Sequence, residues 1–200
     1  VPAHLGNGED PGRNLYWGAA FGVKTYFSKS KNWKLIESIA NPSENVLERL
    51  VFKRRDANVY LVADAYRGSR MRQTIDAFFD ALSAKNRENI KVNGTILQIA
   101  GGSDLVAFVG HNGLMDFKLD RKIGNSDGIS RDAVVLACAS RSYFFQPLKD
   151  AGANPLLWTT NLMAPEAYIL HDALDGWVVN EMPGQIRERA AAAYAKYQKI

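Results

Sequence analysis

Short apolar runs alternate with amphipathic stretches along most of the chain, and their periods predict the elements. The first strand is expected at Leu15 to Gly22. Val23 to Ala40 fits either type, because Val23, Tyr26 and Phe27 have helical spacing while Trp33 to Ile39 suits both. Asn41-Pro42-Ser43 breaks the chain, and Ser43 is a suitable N-cap for a helix through about Arg55, with Val46, Leu47, Leu50 and Val51 on one face. Asn58 to Ala65 reads as a buried strand. The clearest helix is Arg70 to Ala84, where Met71, Ile75, Phe78, Phe79 and Leu82 form the inward stripe. Ile90 to Ile99, divided by Asn93-Gly94, reads as a hairpin. Strands follow at Leu105 to Val109 and Ala133 to Ala137, a short helix at Ser142 to Ala151, and a strand at Leu156 to Thr159. Pro165 at a first helical position opens a helix to about Val178, and Pro183 opens the last, Gln185 to Gln198.

Strands alternating with helices predict a mainly parallel sheet covered on both faces. Two hundred residues suffice for one packed core, so the expected organisation is a flexible tail over 1–13 and a single α/β domain over 14–200. The start on Val1, with Gly, Pro and polar residues to Arg13, reads as a processed or trimmed end of the kind left by signal-peptide removal, which would place the protein in a secreted or periplasmic compartment. The apolar runs fall far short of the roughly 20 residues that a spanning helix needs, so no membrane partner is expected. The net charge of +4 is scattered apart from Lys53-Arg54-Arg55, which reads as a solvated face at a helix end rather than a nucleic-acid site.

In such sheets function gathers at the carboxyl ends of the strands. Two strand ends there carry residues of catalytic type. Leu105 to Val109 runs through Gly110 into His111-Asn112-Gly113, and Ala133 to Ala137 runs into Cys138-Ala139-Ser140. If the strands are adjacent and parallel, both side chains emerge on one sheet edge. A thiol attacks as thiolate, and a neighbouring imidazole can take its proton. Glycines beside His111 let backbone N–H groups approach a ligand, as an oxyanion hole requires. The blander alternative makes Cys138 a small core residue and His111 a turn residue.

These two blocks resemble the caspase-like cysteine peptidases, a group that includes caspases, legumains, gingipains and separases. Those enzymes carry a hydrophobic block ending in His-Gly and a second ending in Ala-Cys. Here the matching segments are Leu105 to Gly113 and Ala133 to Cys138, and Cys138-Ala139-Ser140, with Tyr143-Phe144 beyond, is most similar to the legumain version. The resemblance implies a three-layer α/β/α sandwich with a mainly parallel sheet, and a cysteine endopeptidase without cofactor or metal that acts on a peptide or protein. Carried over, Cys138 is the nucleophile and His111 the general acid/base. The amides of Cys138 and of Asn112 or Gly113 hold the oxyanion. The family places Gly directly after His, whereas Asn112 intervenes here, which leaves the second amide open.

Further substrate-binding candidates are Asp64 and Arg67, which with Tyr66 follow a strand, then Ser140, and Trp158 and Thr159 with Thr160 and Asn161 as one wall of a cleft. Each has a plainer alternative: a polar turn for Asp64 and Arg67, a helix N-cap for Ser140, core packing for Trp158. His171 beside Asp172 has no partner at metal-binding spacing and reads as structural. With three histidines and one cysteine, no metal site is expected. Two other functions compete with the peptidase: a catalytically silent module that binds a protein or peptide at the same cleft, and an unrelated α/β domain with a buried Cys138.

Overall fold

The computed structural model describes residues 2–199. Val1, on which the reading of a processed start rests, and Ile200 lie outside the described residues. The chain forms two compact units, one built from the segments up to Arg70 and from Glu166 onward, the other from Met71–Pro165.

In the first unit, helix α1 (Val23–Ser28) precedes three strands, β1 (Trp33–Ser43), β2 (Val46–Arg54) and β3 (Tyr60–Tyr66), which pair antiparallel in the order β1-β2-β3. Helices α4 (Ala167–Val178) and α5 (Pro183–Gln198) pack on each other in the same unit. No strand forms at residues 15–22, which lie in turns before α1. The helix expected after Ser43 is strand β2. Val46, Leu50, Phe52 and Arg54 are buried on one face, and Val51 is fully buried on the other, so burial on both faces around 50–52 and the neighbouring Leu47 conceal the period of two in the sequence. Pairing on both sides, Leu50 opposite Ser38 and Ala63, outweighs the local helical spacing. Pro165 also precedes its helix rather than opening it, with Glu166 as the N-cap.

The buried rings of Phe27, Trp33 and Phe52 centre this unit, Phe27 lying 5.9 Å from Trp33 and 5.8 Å from Phe52. Arg54, expected in a solvated charge run, is instead buried and ion-paired with Asp56 and Asp175. His171 Nε2 meets Ser30 Oγ at 2.8 Å, its Nδ1 meets Asp172 Oδ1 at 2.9 Å, and Asn32 donates to Asp175. The cluster of His171, Asp172 and Asp175 has metal-ligand residue types, yet it ties α4 to the segment between α1 and β1. Residues 2–13 contact the same unit: Leu15 donates to Leu5 O, Gly68 to Gly8 O, and Ser69 and Arg67 to the Glu9 carboxylate.

The second unit opens with helix α2 (Met71–Leu82), followed by the hairpin β4 (Arg87–Val92) and β5 (Thr95–Ala100). Asn93 and Gly94 both take positive φ, as a tight two-residue turn requires. Then come β6 (Leu105–Val109), β7 (Asp132–Leu136), α3 (Ser140–Asp150) and β8 (Asn154–Trp158). These last three strands pair parallel in the order β6-β7-β8.

A mainly parallel, three-layer caspase-like sandwich is therefore not what this chain forms. Two of its three sheets are antiparallel, and parallel pairing is confined to β6, β7 and β8. The cause is the lost helix after Ser43. Without it, β1 and β2 are joined by two residues and β2 and β3 by five, too few for the crossover of about a dozen that parallel neighbours need.

The core of the second unit lies between α2, α3 and one face of the parallel sheet. Ile75, Phe78, Phe79 and Leu82 from α2 meet Phe108, Ala133, Val135 and Ala137 from the sheet and Phe144 and Leu148 from α3. Phe144 is fully buried, stacked on Phe79 at 5.8 Å and 6.1 Å from Phe78. At the amino end of the sheet, buried Arg131 donates to Gly101 O at 2.7 Å and to Asp127 at 2.8 Å. Hydrogen bonding to Arg131 holds the Asp127 carboxyl well below the usual carboxylate range. Phe144→Ala should destabilise this unit by about 3–5 kcal/mol in urea unfolding, because the surrounding rings cannot close the void. Phe145→Ala, at a half-exposed neighbour, should cost less than about 1 kcal/mol.

Candidate functional site

Strands β6 and β7 are adjacent, parallel and in register, with Val109 opposite Leu136. His111 and Cys138 each lie two residues beyond that last pair. The ladder continues past it, since Gly110 N–H donates to Leu136 O at 3.1 Å. The two residues of catalytic type therefore leave one edge of the sheet from neighbouring strands.

The loops that carry them are tied together. Asn112 is fully buried, donates from Nδ2 to Cys138 O at 2.6 Å and accepts the Leu114 N–H at Oδ1. That second bond caps the 3-10 turn Gly113–Met115. Gly113 N–H donates to His111 O at 3.0 Å, so this amide is already used. A Cβ at 113 would stand 2.6 Å from Met71 Cγ, so a larger residue there requires the Met71 side chain to shift. Among the described residues, neither the Asn112 nor the Cys138 N–H has a backbone acceptor, but Asn112 is fully buried, so of these two residues only half-buried Cys138 is open to a ligand.

The turn after Cys138 is tight. Ala139 takes the left-handed conformation (φ 47°, ψ 34°) and passes straight into α3. A residue with a Cβ carries about 1–2 kcal/mol of strain there. Bonds from its N–H to Asn161 O and from Arg141 N–H to Thr159 O, both 2.9 Å, hold it in place. Beneath, Ser140 Oγ donates to Val135 O and accepts the Thr159 N–H, each at 2.9 Å. Thr159 Oγ1 donates to Ala137 O and lies 3.0 Å from Ser140 Oγ. Ser140 and Thr159 thus clamp the start of α3 to the end of β8. Ser140 is fully buried as the first helical residue, with Ala139 at the cap position.

The half-buried Cys138 thiol points its S–H towards Met163 O, 3.6 Å away. Half-exposed His111 meets Asp116 Oδ2 through Nε2 at 2.6 Å, and Asp116 closes the 3-10 turn by donating to Gly113 O. No hydrogen bond joins His111 to Cys138 among the described residues. The imidazole is oriented by a carboxylate and retains Nδ1 for a second partner.

Of the remaining candidates, Trp158 stands at the same edge, packed on Phe145 with Arg141 over its ring. Asp64 and Arg67 belong to the first unit. Asp64 lies inside β3 in a two-point pair with Arg49, and Arg67 holds Glu9 and Glu44 O. Asp116, the Asn112 side chain and the Met163 carbonyl escaped the sequence reading. Asp116 could have been found five residues beyond His111, but Met163 O has no signal in residue type. No helix among the described residues is long and apolar enough to cross a membrane.

Asn112→Ala should lower stability by about 2–4 kcal/mol in urea unfolding, since it strands the Cys138 carbonyl and the Leu114 amide. A loss below about 1 kcal/mol would show that water replaces both bonds at no cost.

Comparison with known proteins finds no family model, no curated protein and no solved structure that matches this chain.

Proposed function

We propose that the protein is a cysteine peptidase in which Cys138 attacks the peptide carbonyl and His111 takes and returns the proton. The observation that carries this reading is the placement of both residues two steps beyond the paired ends of adjacent parallel strands. His111 Nδ1 accepts the thiol proton, and Asp116 steadies the imidazolium through Nε2. The thiolate adds to the carbonyl carbon, and the Cys138 amide receives the oxyanion. The imidazolium then protonates the leaving amine, and water releases the acyl group from sulfur with His111 as base. Productive geometry requires His111 to swing towards the sulfur, within what side chains undergo when substrate binds. The resemblance of Leu105 to Gly113 and Ala133 to Cys138 to caspase-like motifs agrees with these roles.

The silent-module reading draws on one specific observation, the thiol turned to Met163 O and the imidazole to Asp116. Labelling of the native protein separates the two. With iodoacetamide or a peptidyl acyloxymethyl ketone at near-neutral pH, Cys138 should be modified in the folded state. His111→Ala should slow that reaction at least about tenfold while leaving the melting temperature almost unchanged. His171→Gln, in the other unit, should leave the rate within a few-fold. A Cys138 that reacts only after denaturant is added, at a rate indifferent to His111, would overturn the peptidase reading.

A further inference from the structure

Three Asn-Gly pairs occur in the chain, at 7–8, 93–94 and 112–113. This dipeptide is open to deamidation, because glycine has no side chain to shield its backbone nitrogen from the preceding side-chain amide. The three pairs have different surroundings, and those surroundings decide which of them reacts. Asn93 and Gly94 form the tip of the β4–β5 hairpin, where both are exposed and both take positive φ, 48° and 82°. Nothing lies within 4 Å of the position that a Cβ on Gly94 would take. Among the described residues the Asn93 side chain makes no hydrogen bond, and the Gly94 N–H has no backbone acceptor. The amide carbon and the nitrogen that can attack it are thus both unengaged.

Asn112-Gly113 is held where Asn93-Gly94 is not. Asn112 is fully buried, its Nδ2 donates to Cys138 O and its Oδ1 accepts the Leu114 N–H. The Gly113 N–H donates to His111 O at 3.0 Å, a bond that keeps the proton on the would-be nucleophile. Asn7-Gly8 is exposed but pinned. Asn7 Oδ1 accepts the Glu9 N–H at 3.0 Å, and Gly8 O accepts the Gly68 N–H at 3.0 Å. A Cβ on Gly8 would stand 2.6 Å from Gly68 Cα, so the two backbones touch. Gly8 cannot turn its nitrogen towards the Asn7 side chain without leaving that seat.

We propose that Asn93 is a deamidation site, and that the fold directs this chemistry to the hairpin tip and away from Asn112 at the Cys138 edge. The Gly94 nitrogen loses its proton to solvent and bonds to Asn93 Cγ. The Cγ–Nδ2 bond breaks, ammonia leaves with a proton from solvent, and a succinimide ring remains. Water then opens the ring. Breaking the bond from nitrogen to Cγ gives aspartate, and breaking the bond from nitrogen to the backbone carbonyl carbon gives isoaspartate. Either product adds a negative charge to the tip. Isoaspartate also inserts one more atom into the main chain, so the two-residue turn no longer closes Val92 on Thr95 in its present register. None of these steps depends on the peptidase reading.

The test follows all three pairs in one sample. The full chain is aged at neutral pH in heavy-oxygen water, both folded and unfolded in guanidinium chloride, and mapped by peptide mass spectrometry that separates aspartate from isoaspartate. In the unfolded chain the three pairs should convert at similar rates. In the folded chain Asn93 should stay within a few-fold of its unfolded rate, with isoaspartate among the products. Asn112 should slow at least about tenfold, because its amide reacts only after local opening, and Asn7 should fall between the two. Protection of Asn93 equal to that of Asn112, or conversion of Asn7 or Asn112 ahead of Asn93 in folded protein, would overturn the assignment. Aspartate at 93 without isoaspartate would also overturn it, since direct hydrolysis by water needs no attack from Gly94.

Discussion

Because β6 and β7 run parallel with Val109 opposite Leu136, whatever follows the two strands must emerge at the same edge. Parallel neighbours with a common register deliver their next residues side by side, which antiparallel neighbours cannot do. The placement of His111 beside Cys138 and the loop tie through Asn112 both depend on that register. A one-residue slip would send Cys138 to the opposite face and leave Asn112 without its acceptor.

The register is held from both ends and from below. Arg131 fastens the loop before β7 to the turn after β5 at the amino end. Asn112, Ala139 and Asn161 fasten the loops at the carboxyl end. Beneath lie Phe79, Phe108 and Phe144, a rigid floor in which β7 contributes only the small or branched residues Ala133, Val135 and Ala137. Those side chains leave room for the rings of α2 and α3 against the sheet. A scaffold this constrained can hold Ala139 in a strained conformation and so turn the chain within one residue of the thiol. His111 has no such floor. It stands half-exposed on a short turn and is oriented by one carboxylate, which gives it freedom to move between partners.

Much of the second unit was legible in the sequence, because its elements differ clearly in period. The stripe of α2, the Asn93-Gly94 hairpin and the apolar runs of β6, β7 and β8 all lie within a few residues of their expected places. The first unit was not legible to the same degree. Leu47 and Val51 give β2 a helical appearance, and together with the strand expected at 15–22 this turns an antiparallel meander into an apparent strand–helix–strand alternation and the whole chain into a parallel sandwich. In the site, strand-end position found His111 and Cys138. The sequence could not reveal that Ser140 and Thr159 face each other inside the clamp, or that Asp64 and Arg67 lie in the other unit, because these facts depend on long-range packing.

Peptidase chemistry at this edge requires that the Cys138 sulfur and the His111 ring reach a common reacting centre. A short bifunctional alkylating agent tests it directly. Native protein treated with 1,3-dibromoacetone, digested and mapped by mass spectrometry should yield a peptide pair bridged from Cys138 to His111, absent from His111→Ala. Cys138 alkylated at one end only, or bridged to a residue other than His111 in folded protein, would contradict the account.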